Sequence, residues 1–169
     1  MTPIIISRIF DPFLMAFVTL SILLNRGPHY VQVLLIMTLL PFLLFFIFWK
    51  TKLVSNWDIS NRAERPKFLW MLIGIEAIAI IFSRQWNVLP FLCALIGFGI
   101  ITHKWKISGH MMALGLATGV VIARYGWSWW PVFLSVPLVG WSRVVTKNHT
   151  IAQVIAGTMY SWAIVYFFV

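Results

Sequence analysis

The sequence predicts an all-α integral membrane protein, a bundle of six to seven transmembrane helices. Three observations carry this: composition, the rhythm of apolar runs and the placement of charge. Of the 169 residues, 61% are hydrophobic and only 10% are charged, a balance outside that of soluble globular domains. The mean hydropathy is +0.91. The apolar runs recur in hairpin pairs, each run near the ~20 residues a bilayer requires, and the ionisable residues fall mainly between them.

Taken in order, the first pair spans about 9–24 and 31–49 and turns at Asn25-Arg26-Gly27-Pro28, a run of turn formers. Arg8 and Asp11 directly precede the first run and no small-residue cleavage site follows it, so it reads as a retained helix rather than a signal peptide. It is the seventh span if it crosses and an interfacial segment if it does not. The second pair spans about 67–83 and 88–102, turning at Ser83 to Asn87. A third spans about 110–125 and 128–143 around Gly126, and a last helix runs from about 150 to Val169. Gly115 and Gly119, with Ala113 and Ala117, give the fifth segment a small face that another helix can approach closely. No Pro/Gly/Ser-rich linker interrupts the chain, so residues 1–169 are expected to form a single transmembrane domain.

Seven spans would place the loops 50–67, 103–109 and 143–149 on the side of the N-terminus. That side collects Arg8, Lys50, Lys52, Arg62, Arg65, Lys67, Lys104, Lys106, Arg143 and Lys147, and the other holds only Arg26, Arg84 and Arg124. Ten against three is a strong positive-inside bias. It predicts that the three polar loops lie in the cytoplasm. Tryptophans at both ends of the runs, Trp49, Trp57, Trp70, Trp105 and Trp141 on one side and Trp86, Trp127, Trp129 and Trp130 on the other, suit interfacial belts.

The net charge of +9 does not point to nucleic acid, because the basic residues alternate with apolar runs instead of lining one soluble face. Membrane lipids and a phosphorylated substrate are the expected partners. Cys93, the one cysteine, lies in an apolar run and allows no intrachain disulfide. With Asp11, Asp58, Glu64 and Glu76 as the only acidic residues, paired aspartate-rich motifs for magnesium diphosphate are absent, which argues against a prenyltransferase. Polar residues gather at segment ends rather than along successive spans, which argues against a channel.

Three loops carry the candidate chemistry. In Trp57 to Lys67, the residues Asp58, Arg62 and Arg65 have i, i+4 and i+3 spacing and would share one helical face; an interfacial helix with an Asp58–Arg62 ion pair explains that pattern as well as a site does. In Lys104 to His110, the residues Ser108, Gly109 and His110 open a span, where free backbone N–H groups at a positive helix end suit a phosphate. A lone boundary histidine would look the same. In Trp141 to Gln153, His149 and Gln153 lie one turn apart at the start of the last helix, so Gln153 can reach the ring and fix its tautomer, or the pair can be a helix-capping cluster. Glu76, mid-span, is expected to be hydrogen-bonded as the neutral acid or to face a polar cavity.

Together these loops resemble the type 2 phosphatidic acid phosphatase superfamily, whose pattern is Lys-x6-Arg-Pro, then Pro-Ser-Gly-His, then Ser-Arg-x5-His-x3-Asp. The matches are Arg65-Pro66, Ser108-Gly109-His110, and Ser142-Arg143 with His149, in the family's order across residues 58–153. Asp58 stands where the first lysine belongs, Ile107 replaces the proline and Gln153 the final aspartate. The combination is similar to a small prokaryotic membrane branch of that superfamily, which implies an integral protein of a prokaryotic-type inner membrane.

The resemblance implies that Arg65 and Arg143 hold the phosphoryl oxygens, with Ser108 and the Gly109 amide as further donors and Arg62 taking over part of the missing lysine's work. It further implies His149 as the nucleophile, His110 as the general acid, Gln153 as the partner of His149, and neither a metal nor another cofactor. The expected activity is hydrolysis of a lipid phosphate or an isoprenoid phosphate or diphosphate. The lost lysine and aspartate leave a second reading: a catalytically degraded member serving as a structural or lipid-binding subunit of a larger membrane complex.

Overall fold

The computed structural model describes residues 2–59 and 61–169. Among them every regular element is a helix, and the chain forms two compact units, one from Met1–Leu23 with Ile107–Val169 and the other from Leu24–Lys106. Five helical stretches, Pro3–Leu23, Tyr30–Lys50, Arg62–Ser83, Trp86–Lys104 and Ile151–Phe168, are long and apolar enough to cross a membrane.

The Leu24–Lys106 unit holds α3 (Tyr30–Lys50), α4 (Arg65–Ser83) and α5 (Leu89–Lys104), with α4 packed against both others. Prolines start α4 and α5 within their first two positions, where the missing N–H costs nothing. The turn between α4 and α5 is tied to the approach to α3: the Asn25 amide donates to Gln85 Oε1 at 2.9 Å and Asn87 Nδ2 to Asn25 Oδ1 at 2.8 Å. At the other end, Trp70 Nε1 donates to His103 Nε2 at 3.2 Å. Glu76 is fully buried on α4 and neither carboxyl oxygen has a partner among the described residues.

Residues 51–59 of this unit are turns and bends rather than the helix that the spacing of Asp58, Arg62 and Arg65 suggests, so those three do not share a helical face. Aromatic packing explains the difference. Trp57 meets Phe45 edge-on at 5.1 Å and Trp49 at 5.6 Å, and Phe45 in turn meets Phe68 of α4 at 5.5 Å. Each such contact adds about 0.5–1.5 kcal/mol to the area buried, enough to outweigh the small propensity gain of one exposed helical turn.

The other unit is built around α6 (Gly109–Tyr125), whose residues His110 to Val120 are all buried. It packs against α2 (Pro12–Leu23) and α8 (Ile151–Phe168). The small face predicted on this helix is where α8 approaches: a methyl on Gly115 would strike the Ser161 hydroxyl, and one on Gly119 would lie 3.0 Å from Val165. From α8, Gly157 approaches the first turn of α6, where a methyl would lie 2.7 Å from the Ser108 carbonyl oxygen.

Two stretches of this unit differ from the sequence expectation. The predicted first helix, about 9–24, is found as α2, and an unpredicted short helix, α1 (Pro3–Ile9), precedes it across Phe10-Asp11, with Asp11 Oδ1 accepting from the Phe13 amide at 2.9 Å to start α2. The predicted 128–143 helix begins as a 3₁₀ run over Trp127–Leu134 and becomes α-helical only as α7 (Ser135–Val145). Pro131 lies inside that run, where it lacks an N–H and disfavours the α conformation at Trp130.

Candidate phosphoryl-transfer site

The third polar loop is held by its backbone. At the end of α7, the Asn148 and Lys147 amides donate to the carbonyls of Arg143 at 3.1 Å and Val144 at 2.9 Å, and Lys147 takes a left-handed φ of 57°. These are the two bonds and the left-handed residue of a Schellman cap. The His149 amide also donates to the Arg143 carbonyl at 3.1 Å, so the chain doubles back and sets His149 beside Arg143. The five-residue spacing between them is the length of that reversal. Arg143 itself is 2% exposed and His149 is 7%.

The next turn fixes the His149 ring. Thr150 and Gln153 form a reciprocal capping box at the start of α8, in which the Thr150 hydroxyl accepts from the Gln153 amide and Gln153 Oε1 accepts from the Thr150 amide at 3.2 Å. The same Oε1 lies 3.1 Å from His149 Nδ1. A backbone N–H is an obligate donor, so the atom facing it must be the amide oxygen, and that oxygen requires a proton on His149 Nδ1. The lone pair is left on Nε2. Both sequence readings of this pair hold at once: Gln153 caps the helix and orients the histidine.

The second loop joins the third through its backbone. The Ser108 amide donates to the Gln153 carbonyl at 3.1 Å, and the fully buried Ser108 hydroxyl caps α6 by accepting from the Met111 amide at 3.4 Å. Gly109 supplies the first amide of the helix. His110, next in that turn, is 5% exposed, and its Nε2 has no hydrogen-bond partner among the described residues. The ring bonds the Ser7 backbone carbonyl, which must therefore be the work of Nδ1–H. Arg143 and His149 both act electrostatically on His110, as does Arg8 of α1, so the buried groups of loops two and three lie within one local field.

Ser7 and Arg8 were missed by sequence reasoning, which used Arg8 only to weigh topology. The one signal available was a Ser-Arg pair that repeats the Ser142-Arg143 dipeptide.

The remaining two predicted residues belong to the Leu24–Lys106 unit. Arg65 opens α4, is 5% exposed, and donates from Nε to the Ile59 carbonyl at 2.9 Å, with Ile59 at a φ of 42°. Arg62 is exposed, and its Nη1 donates to the Lys104 carbonyl at 2.6 Å, a C-terminal carbonyl of α5.

A 69-residue stretch, 39% of the chain, is 42% identical to the lipid A 4'-phosphatase of Helicobacter pylori strain J99. It covers 35% of that protein, so the chain matches about a third of its curated relative's length. No family model matches the chain. No solved structure matches it either.

Proposed function

We propose that the protein is a membrane lipid-phosphate phosphatase working through a phosphohistidine. The observation that carries this reading is the arrangement of His149: Nδ1 protonated against Gln153 Oε1 and Nε2 presenting its lone pair, with buried Arg143 held beside it by the same loop. The relationship to a lipid phosphatase supports the same reaction class.

In this mechanism His149 Nε2 attacks phosphorus while the bond from phosphorus to the lipid oxygen breaks, and that oxygen takes the Nε2 proton of His110, which enters the step as the imidazolium and leaves it as the neutral ring protonated on Nδ1. Water then attacks the phosphohistidine, His110 Nε2 takes the water's proton, and the phosphorus–nitrogen bond breaks to release phosphate. Arg143 neutralises the phosphoryl oxygens, and the Gly109 amide at the start of α6 is a further donor. Gln153 orients His149 without the charge of a carboxylate, so imidazolium character gains less stabilisation in the transition state. In a serine-protease triad the analogous loss of an aspartate costs roughly 10⁴ in turnover, so this enzyme is slow.

The substrate class is a bilayer lipid carrying a terminal phosphate or diphosphate, isoprenoid phosphates and diphosphates included. Its hydrocarbon part lies in the bilayer and along the apolar groove of about 490 Å³ between α7 and α8, whose rim residues Val144 and Ile151 neighbour Arg143 and His149 in the chain. The charge asymmetry of the sequence supports a cytoplasmic position for the polar loops.

The test is phosphate release by the detergent-purified protein from phosphatidate, lysophosphatidate, prenyl phosphates and prenyl diphosphates, each in chelator. We expect turnover with at least one of them, abolished in His149→Ala. Inactivity on every lipid, together with stoichiometric co-purification of other membrane subunits, would replace this reading with the structural-subunit one.

A further inference from the structure

The three polar loops do not account for what holds His110; the short helix α1 does. Ser7 and Ser142 are both buried, and their hydroxyl oxygens lie 2.6 Å apart. The Ser142 hydroxyl also donates to the Pro3 carbonyl at 2.6 Å. A hydroxyl has one proton. With that of Ser142 committed to Pro3, Ser7 is the donor in the serine pair, and the bonds run in one direction from Ser7 through Ser142 to the start of α1. Seven residues are too few for a stable isolated helix, so α1 owes its place to this chain of bonds and to Ile6, which is buried in a cluster with Met15, Met111 and Val139. Ser142 precedes Arg143 in α7, and the Ser7 carbonyl is the partner of the His110 ring.

We propose that α1 is a positioning element of the phosphoryl-transfer site, with Ser7 as its positioning residue: the Ser7 hydroxyl docks α1 on α7 beside Arg143, and the Ser7 carbonyl holds His110 with Nε2 as the nitrogen that exchanges protons. This rests on His110 being the general acid. The carbonyl accepts from Nδ1–H in both protonation states of the ring, so the ring does not rotate as it gives up and regains a proton at Nε2. Ser7 is 135 positions from its hydroxyl partner.

The full-length protein in detergent is compared with Ser7→Ala and with Ser142→Ala, which breaks the same chain while leaving Ser7 in place. In both, turnover is expected to fall about tenfold with KM within twofold, and the limb of the pH profile set by His110 to move. The double variant is expected to lose no more than the worse single one, because the two hydroxyls act as a unit. Ring ¹⁵N NMR signals of His110 provide a readout independent of turnover: a dominant Nδ1–H tautomer in the parent and a mixture in both variants. Unchanged turnover, pH profile and ¹⁵N signals in either variant would overturn the proposal, as would a loss confined to thermal stability. If His110→Ala and His149→Ala leave turnover intact, the mechanism above has failed instead; if they abolish it while the serine variants are silent, only the role of α1 has.

Discussion

The loop that carries His149 and the loop that precedes Arg65 have similar charge and opposite construction. The first is fixed by backbone: a Schellman cap closes α7, a capping box opens α8, and His149 is set between them with its ring bonded to Gln153. The second is fixed by side chains: Trp57 wedged among Phe42, Phe45 and Trp49, Glu64 accepting from the Ser55 amide at 2.8 Å, and Arg62 reaching the end of α5. Backbone caps set the position of the following residue to within a fraction of an ångström, which a nucleophile needs. Aromatic packing tolerates small shifts.

Trp57→Ala tests the side-chain-built loop and has the largest expected effect. It removes three ring contacts, and we expect a loss of about 2–3 kcal/mol, somewhat below the range for a fully buried tryptophan, measured by chemical unfolding in detergent. A loss under about 0.5 kcal/mol would mean that something other than these rings holds residues 51–59 in place.

Gln153→Glu sharpens the other side of the comparison. Glutamate keeps the capping box and suits the positive end of α8, while giving His149 a negatively charged partner. Turnover should rise about 10–100-fold, a fraction of the protease factor, with no fall in melting temperature. Unchanged turnover with an intact fold would show that charge on this partner does not limit the reaction.

The smallest effect is expected at Lys147. A non-glycine residue in the left-handed region costs about 1 kcal/mol, and Lys147 sits there to close the α7 cap. Lys147→Gly should stabilise the protein by less than about 1 kcal/mol, since the gain is partly offset by the greater freedom of glycine in the unfolded chain. Lys147→Val should destabilise it and lower turnover with it, because the same reversal places His149. A destabilising Lys147→Gly would show that the lysine side chain, rather than its backbone geometry, is what the loop uses.

Much of the fold was legible because its causes are local. The apolar runs that predicted helices at 31–49, 67–83, 88–102 and 110–125 correspond to α3, α4, α5 and α6 within a few residues at either end. The close face at Gly115 and Gly119 could be read from residue size, and the His149–Gln153 pair from a four-residue helical offset. Where local signals competed with packing, packing won. Asp58, Arg62 and Arg65 have helical spacing, but the aromatic side chains around Trp57 draw the preceding segment into turns.

The sequence by itself determined that this is an all-helical membrane chain and which of its loops carry histidines and arginines, because bilayer thickness and helical periodicity act on neighbouring residues. Only the tertiary structure decided that a short helix, α1, precedes the first predicted one and lies on α7, and that a serine hydroxyl and a backbone carbonyl at position 7 reach Ser142 and His110. Those contacts join residues more than a hundred positions apart. Their energy comes from burial and hydrogen bonding between distant segments, and no local periodicity in the chain encodes it.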